Sequence, residues 1–142
     1  MRTLLTGLIA AVIFVASALP GGATPTPPQT VANGILPVGQ TLHYYCHWTK
    51  QFGGGLAWTG DLKFTVNAEG IINGTYRSNS VRPDPFYGKI ITVTGGVTGT
   101  SIRLSFGIAP SLTMRGTVAN NAITGSTQYN GATILFVANP AH

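Results

Sequence analysis

Two of the three histidines and the only cysteine of the 142-residue chain lie within five positions, as His43, Cys46 and His47. On a β-strand the two histidines share one face, but at ~3.3 Å per residue they stand ~13 Å apart, too far to bind one zinc ion. The same alternation places Cys46 on the opposite face, as a small apolar side chain. We therefore expect no metal site here and a buried cysteine.

The acidic residues are few and scattered: Asp61, Glu69 and Asp84 are the only carboxylates. Most glycosidases need two cooperating carboxylates, and this spacing pairs none of them. No nucleophile-elbow motif is present, and the glycine run 53–55 precedes a strand rather than a helix, unlike a phosphate-binding loop. We predict a protein that is not an enzyme and that has no cofactor and no metal.

The segment 77–88 is the longest connection between predicted strands, and it carries two arginines, one aspartate and two aromatic residues. Pro83 and Pro85 stiffen it, which lowers the entropy lost on presenting a surface. One interpretation is a structural loop in which Asp84 pairs with Arg77 or Arg82 and Phe86 covers one end of the domain. The other is a recognition loop or binding lid, since function concentrates on loops held by rigid scaffolds.

The elements that must position these residues are β-strands, because the chain alternates with period two from Thr41 onward. Asn67 and Gly70 bound one of several turn-prone connections. Only 8% of the residues are charged, which argues against long exposed helices. The predicted strands are 42–49, 58–66, 72–76, 89–97, 101–107, 111–118, 122–128 and 132–138.

Glycine recurs at the middle of the inward faces of these strands. The pattern apolar-x-Gly-x-apolar centres on Gly60, Gly74, Gly95 and Gly116, and Gly125 begins a further copy. Glycine inside a strand is unfavourable unless the missing side chain is needed, as where a sheet coils tightly. We predict an all-β antiparallel up-and-down meander of about eight strands, closed into a small barrel; the alternative is a two-layer β-sandwich.

The chain divides into three parts by composition. Residues 1–23 hold Arg2, an apolar run from Leu4 to Leu19 and small residues that offer cleavage after Ala18 or Ala23, which predicts a signal peptide. Residues 24–40 are rich in proline and predict an extended tether, and 41–142 form one β-barrel domain. We expect a secreted or periplasmic protein with no membrane span in the mature chain and no disulfide within one chain.

The net charge of +5 becomes +4 without the leader, and the basic residues are dispersed singly. Nucleic-acid binding needs a clustered basic stripe, so no nucleic-acid partner is expected. The charge is compatible with attraction to an anionic envelope component or polysaccharide.

The stretch 62–78 runs as an apolar strand, an acidic-Gly turn and then Gly74-Thr75-Tyr76-Arg77-Ser78. It resembles the opening hairpin of the avidin and streptavidin-type small β-barrels. The resemblance implies that Tyr76 and Ser78 match polar biotin contacts and that 79–88 takes the place of the family's lid. No tryptophan follows Trp58, and the last strand lacks the family's acidic residue, so the resemblance predicts the barrel rather than a biotin cage.

These observations predict an exported, non-enzymatic β-barrel that binds a small molecule or an envelope component through the 77–88 loop and one barrel mouth. The alternative is a secreted structural or inhibitory module that acts through its outer surface; a hydrolase is the third. A packed interior would favour the outer-surface role, and the alternation fits a packed and an open interior equally. The predicted ligand-binding residues are Trp58, Tyr76, Ser78, Arg82, Asp84 and Tyr87.

Overall fold

A computed structural model describes residues 29–30, 36–53, 56–80, 84–109 and 111–142. The predicted signal peptide 1–23, most of the tether and Arg82 lie outside the described residues. Among those described, every regular element is a β-strand, as predicted. The strands are β1 (Gln29–Thr30), β2 (Pro37–Val38), β3 (Leu42–Lys50), β4 (Leu56–Val66), β5 (Ile71–Ser78), β6 (Ile90–Thr98), β7 (Ser101–Phe106), β8 (Leu112–Ala119), β9 (Ala122–Tyr129) and β10 (Ala132–Pro140).

Strands β3 to β10 form a closed antiparallel barrel in which each strand pairs with its neighbours in sequence, and β10 pairs with β3. Phe136 faces Trp48 across that closing pair, and Pro140 faces Tyr44. Burial alternates along each strand, so side chains point by turns into the barrel and outward. The predicted meander and its closure are confirmed, and the sandwich alternative is excluded.

The inward glycines lie where backbone from the neighbouring strand leaves no room for a side chain. A Cβ atom at Gly95 would meet the carbonyl oxygen of Arg103, and one at Gly116 would meet the carbonyl oxygen of Thr124. Gly116 also lies directly opposite Gly125 in the β8–β9 register. The missing side chains therefore allow the strong coiling that closes eight strands into a narrow barrel.

The two ends of the barrel differ in the connections that cover them. The described parts of the connections β3–β4, β5–β6, β7–β8 and β9–β10 lie at one end, which we call the mouth. The turns 67–70, 99–100 and 120–121 lie at the far end, where Asn120 and Asn121 both adopt positive φ, as a two-residue hairpin turn requires. Leu36 is fully buried at this end, and the nearby Gly39 N–H donates to the carbonyl of Val66.

The side chains that fill the barrel nearest the far end are aliphatic, and most of the buried aromatic rings lie closer to the mouth. The aliphatic part consists of Leu36, Val66, Ile72, Val97, Ile102, Val118 and Ile123. In the part of the chain that the structure describes, no helix has the length and apolar character needed to cross a membrane.

Candidate functional site

A cluster of aromatic rings fills the barrel just below the mouth, with Trp48 of β3 at its centre. Trp48 is fully buried because the alternation of β3 points it inward together with Tyr44 and Cys46. Its ring centroid lies 4.5 Å from that of Phe136 and 5.1 Å from that of Phe106. The other rings in contact with it are those of Trp58, Tyr76 and Phe86.

One hydrogen bond joins two members of this aromatic cluster. The indole Nε1–H of Trp48 donates to the hydroxyl of Tyr76 at 3.1 Å, and both side chains are fully buried. Burial raises the pKa of Tyr76, and the nearby Cys46 raises it further. The hydroxyl therefore stays protonated and acts as a fixed acceptor for the indole.

Phe86 reaches the same cluster from the loop between β5 and β6 rather than from a strand. Its centroid lies 4.9 Å from that of Tyr76 and 5.9 Å from that of Trp58, and its side chain is fully buried. The ring therefore closes the mouth, as the structural-loop interpretation of 77–88 expected.

A tight turn presents the Phe86 ring. Asp84 begins the turn, Pro85 follows at the position that favours proline, and the Tyr87 N–H donates to the Asp84 carbonyl at 3.1 Å. The Asp84 carboxylate accepts from the Phe86 N–H at 2.7 Å and from the Ser78 hydroxyl at 2.6 Å. Asp84 thus joins the loop to the end of β5 through Ser78, and no ion pair with Arg77 forms among the described residues.

A second set of hydrogen bonds ties the start of the loop to β4. The Thr59 N–H donates to the Ser80 hydroxyl at 2.8 Å, and the Thr59 hydroxyl donates to the Asn79 side-chain oxygen at 2.6 Å. The Asn79 amide also donates to Asp61 at 3.1 Å, and Asp61 in turn is 2.8 Å from His43 Nε2 on the outer face. Side chains therefore anchor the loop at its start and at Asp84, two residues before the ring that it holds inside the barrel.

The rim of the mouth exposes large apolar side chains. Phe52 in the β3–β4 loop is 81% exposed, Ile90 at the start of β6 is 72% exposed and Tyr87 is 55% exposed. These are the most exposed large hydrophobic residues in the described part of the chain. An apolar rim above a cluster of aromatic side chains is typical of a surface that receives a ligand or a partner.

The structure brings four of the six predicted ligand-binding residues together. Trp58 and Tyr76 contact the Phe86 ring, and Ser78 and Asp84 hold the turn that carries it. Tyr87 lies on the rim with its side chain exposed, and Arg82 lies outside the described residues.

Sequence reasoning missed the central role of Trp48 and the anchoring role of Thr59. The inward position of Trp48 was readable from the alternation of β3, but its neighbours depend on the barrel closing. The Thr59 contacts required the β4–β5 register, which the sequence does not supply.

The site offers apolar contact and hydrogen bonding. The described residues contain no group of three or more His, Cys, Asp and Glu side chains able to hold a metal ion. Cys46 is buried and free, on the face opposite to His43 and His47, and burial raises its pKa.

No protein-family model matches the sequence, and no curated protein matches it. Among solved structures, the chain is similar to the crystal structure of rhizavidin, with 17% sequence identity and a TM-score of 0.47. The alignment covers 81% of this chain and 92% of that chain.

Proposed function

We propose that the protein is a binding protein whose mouth receives a small, flat, apolar molecule in the space that the Phe86 ring occupies. The observation that carries the proposal is that a loop residue, Phe86, occupies the space between the aromatic rings that the strands contribute. Phe86 can leave without breaking a strand pairing, and the chamber it vacates is lined by Trp48, Trp58 and Tyr76. Aromatic walls of this kind favour an aromatic or planar ligand.

The loop hydrogen bonds define the closed state that a ligand has to displace. Asp84 and Ser78 hold the turn by two contacts at the edge of the barrel, and both residues are half-buried, where water can replace those contacts. A ligand of the size of a phenyl group then competes with the protein's own ring. The measured association constant is the intrinsic constant of the open chamber multiplied by the fraction of molecules in which Phe86 has left the chamber.

The test compares Phe86→Ala with Phe52→Ala, a matched substitution of the exposed rim phenylalanine. Toluene is titrated into each protein by calorimetry, and the thermal midpoint is measured with and without it. We expect Phe86→Ala to bind toluene more tightly than the unmodified protein and to gain thermal stability from it, while Phe52→Ala behaves like the unmodified protein. Absence of toluene binding to Phe86→Ala in a protein that still folds would overturn the proposal.

We further propose that the protein is exported and acts outside the cytoplasm. The apolar run and small residues of 1–23 support this placement. The N-terminal residue of protein recovered from the periplasm or medium, read by mass spectrometry, is expected to be Leu19 or Thr24. A chain found only in the cytoplasm with its leader intact would contradict it.

A second candidate function is a non-enzymatic module that acts through its outer surface. The filled interior favours this role, and so does a groove on the outside of β6, β7 and β8, lined by Thr94, Arg103 and Arg115 among others. The two functions use different faces of the barrel, so a substitution in the mouth and a substitution in the groove should each affect only one of them.

A further inference from the structure

The outer face of β6, β7 and β8 carries an open groove of about 780 Å³, and no residue of the loop that carries Phe86 lines it. It extends towards the β6–β7 turn at the far end of the barrel. Its lining includes hydroxyl side chains, glycines and two arginines, among them Thr94, Gly96, Ser101, Arg103, Ser105 and Arg115. A volume of this size accommodates a ligand larger than a single ion.

The two arginines stand directly opposite each other. Arg103 of β7 and Arg115 of β8 are register partners, and both point outward and are exposed. Neither forms an ion pair within the part of the chain that the structure describes, and that part includes every carboxylate side chain of the protein. Like charges at directly opposed positions destabilise a sheet, so the bare pair is unfavourable unless an anion lies between them.

The surroundings leave this positive charge uncompensated. No aspartate or glutamate follows Asp84 in the sequence, so strands β6 to β10 carry none. The Asp61 carboxylate is engaged by His43 and Asn79, and that of Asp84 by Ser78. Glu69 is exposed in the turn before β5 and forms no ion pair.

The shape of the groove is suited to an extended hydroxyl-bearing ligand. Gly96 lies opposite Arg103 in the β6–β7 register, so no side chain from that position fills the groove beside the guanidinium. Ser101, Ser105 and Thr94 place hydroxyls on the same outward face, where they can exchange hydrogen bonds with sugar hydroxyls. A guanidinium fork binds sulfate, phosphate or carboxylate oxygens in a bidentate manner.

We propose that this groove binds an oxyanion carried on a polyhydroxylated ligand, namely an anionic polysaccharide, with Arg103 and Arg115 sharing one anionic group. Binding here is independent of the mouth, since no residue of the aromatic chamber lines the groove.

The test measures binding of dextran sulfate to the purified protein, with neutral dextran as the uncharged control. The variant Arg103→Gln/Arg115→Gln is compared with Lys50→Gln/Lys63→Gln, which loses the same charge from the exposed positions of β3 and β4. We expect the arginine variant to bind dextran sulfate at least about tenfold more weakly, because the loss of charge-assisted hydrogen bonds lowers an affinity by roughly that factor. The lysine variant is expected to retain binding close to that of the unmodified protein.

Two further measurements keep the result interpretable. The thermal midpoint of Arg103→Gln/Arg115→Gln is expected to rise, because the repulsion between the two opposed like charges is removed, so lost binding cannot reflect unfolding. Inorganic sulfate is added as a competitor. Displacement of dextran sulfate at millimolar sulfate identifies the single oxyanion as the recognised group, whereas no displacement identifies the polysaccharide as the recognised ligand. Equal losses in the arginine and lysine variants, or no binding of dextran sulfate by the unmodified protein, would overturn the proposal.

Discussion

Replacing Tyr76 by phenylalanine removes one oxygen atom from the centre of the molecule and tests the hydrogen bond from Trp48. The Trp48 Nε1–H donates to this oxygen at 3.1 Å, and neither side chain is accessible to water. The variant therefore leaves a buried donor without a partner. Such a group costs about 1–3 kcal/mol, whereas the ring contacts of Tyr76 are preserved.

A cost of about 2 kcal/mol converts into two measurable shifts. With a urea dependence of about 2 kcal/mol per molar, the midpoint of unfolding falls by about 1 M. For a domain of this size the thermal midpoint falls by roughly 8 °C or more. Trp48 and Trp58 both lie in the cluster, so their fluorescence reports the unfolding directly.

The matched control is Tyr129→Phe. Tyr129 contacts Trp58 and is half-buried, but its hydroxyl forms no hydrogen bond with any described residue. We expect its free energy of unfolding to change by less than about 0.5 kcal/mol.

A double-mutant cycle with Trp48→Phe identifies the source of the effect. Once the indole donor is gone, Tyr76→Phe should cost far less, because no buried N–H is left unpaired. If Tyr76→Phe has the same cost in both backgrounds, or no cost in the unmodified protein, the reasoning about this hydrogen bond is refuted.

Two other predictions concern the strands and the pH dependence of stability. Gly95→Ala should lower the free energy of unfolding by about 1–3 kcal/mol, because its Cβ meets the Arg103 carbonyl. Gly96→Ala, one residue on and outward, makes only an ordinary 3.7 Å contact and should be neutral or stabilising in the same urea titration. Burial raises the pKa of Cys46, so the folded state keeps the thiol proton that the unfolded state loses above about pH 8.5. The contribution of this thiol to the free energy of unfolding is fully present below that pH. Above it, the free energy of unfolding should fall by up to about 1.4 kcal/mol per pH unit. Cys46→Ala should abolish this dependence between pH 8.5 and 10, and an unchanged slope would contradict the assignment.

The strands were predictable because their side chains obey one simple rule. From Leu42 onward, inward positions are apolar or glycine and outward positions are mostly polar, so the strand boundaries follow to within a few residues. The inward glycines and the short connections favoured closure over a sandwich without deciding it. The structure shows why the glycines are needed, since neighbouring strands leave no room for their Cβ atoms. The burial of Leu36 was not, because proline-rich segments without periodicity give no sign of which residue packs inward.

The site was predictable only in part, because its contacts join residues distant in sequence. The turn at Asp84 has a local signature, Asp-Pro followed by two aromatics, and the sequence already marked this loop. The structural-loop interpretation expected Asp84 to pair with Arg77 or Arg82. Its carboxylate accepts from the Ser78 hydroxyl and the Phe86 N–H, and Arg82 lies outside the described residues. The contact of Asp61 with His43 spans 18 residues and follows only from the β3–β4 register.

The pairing of the first and last barrel strands makes the whole domain one cooperative unit. Val137 and Ala138 of β10 face His47 and Cys46 of β3, so some ninety residues of chain must be in place before these bonds form. Contacts so distant in sequence slow folding, because the entropy of closing a long loop is lost before the contacts form. A chain released without its last strand would expose the unpaired edges of β3 and β9, to which another copy could add.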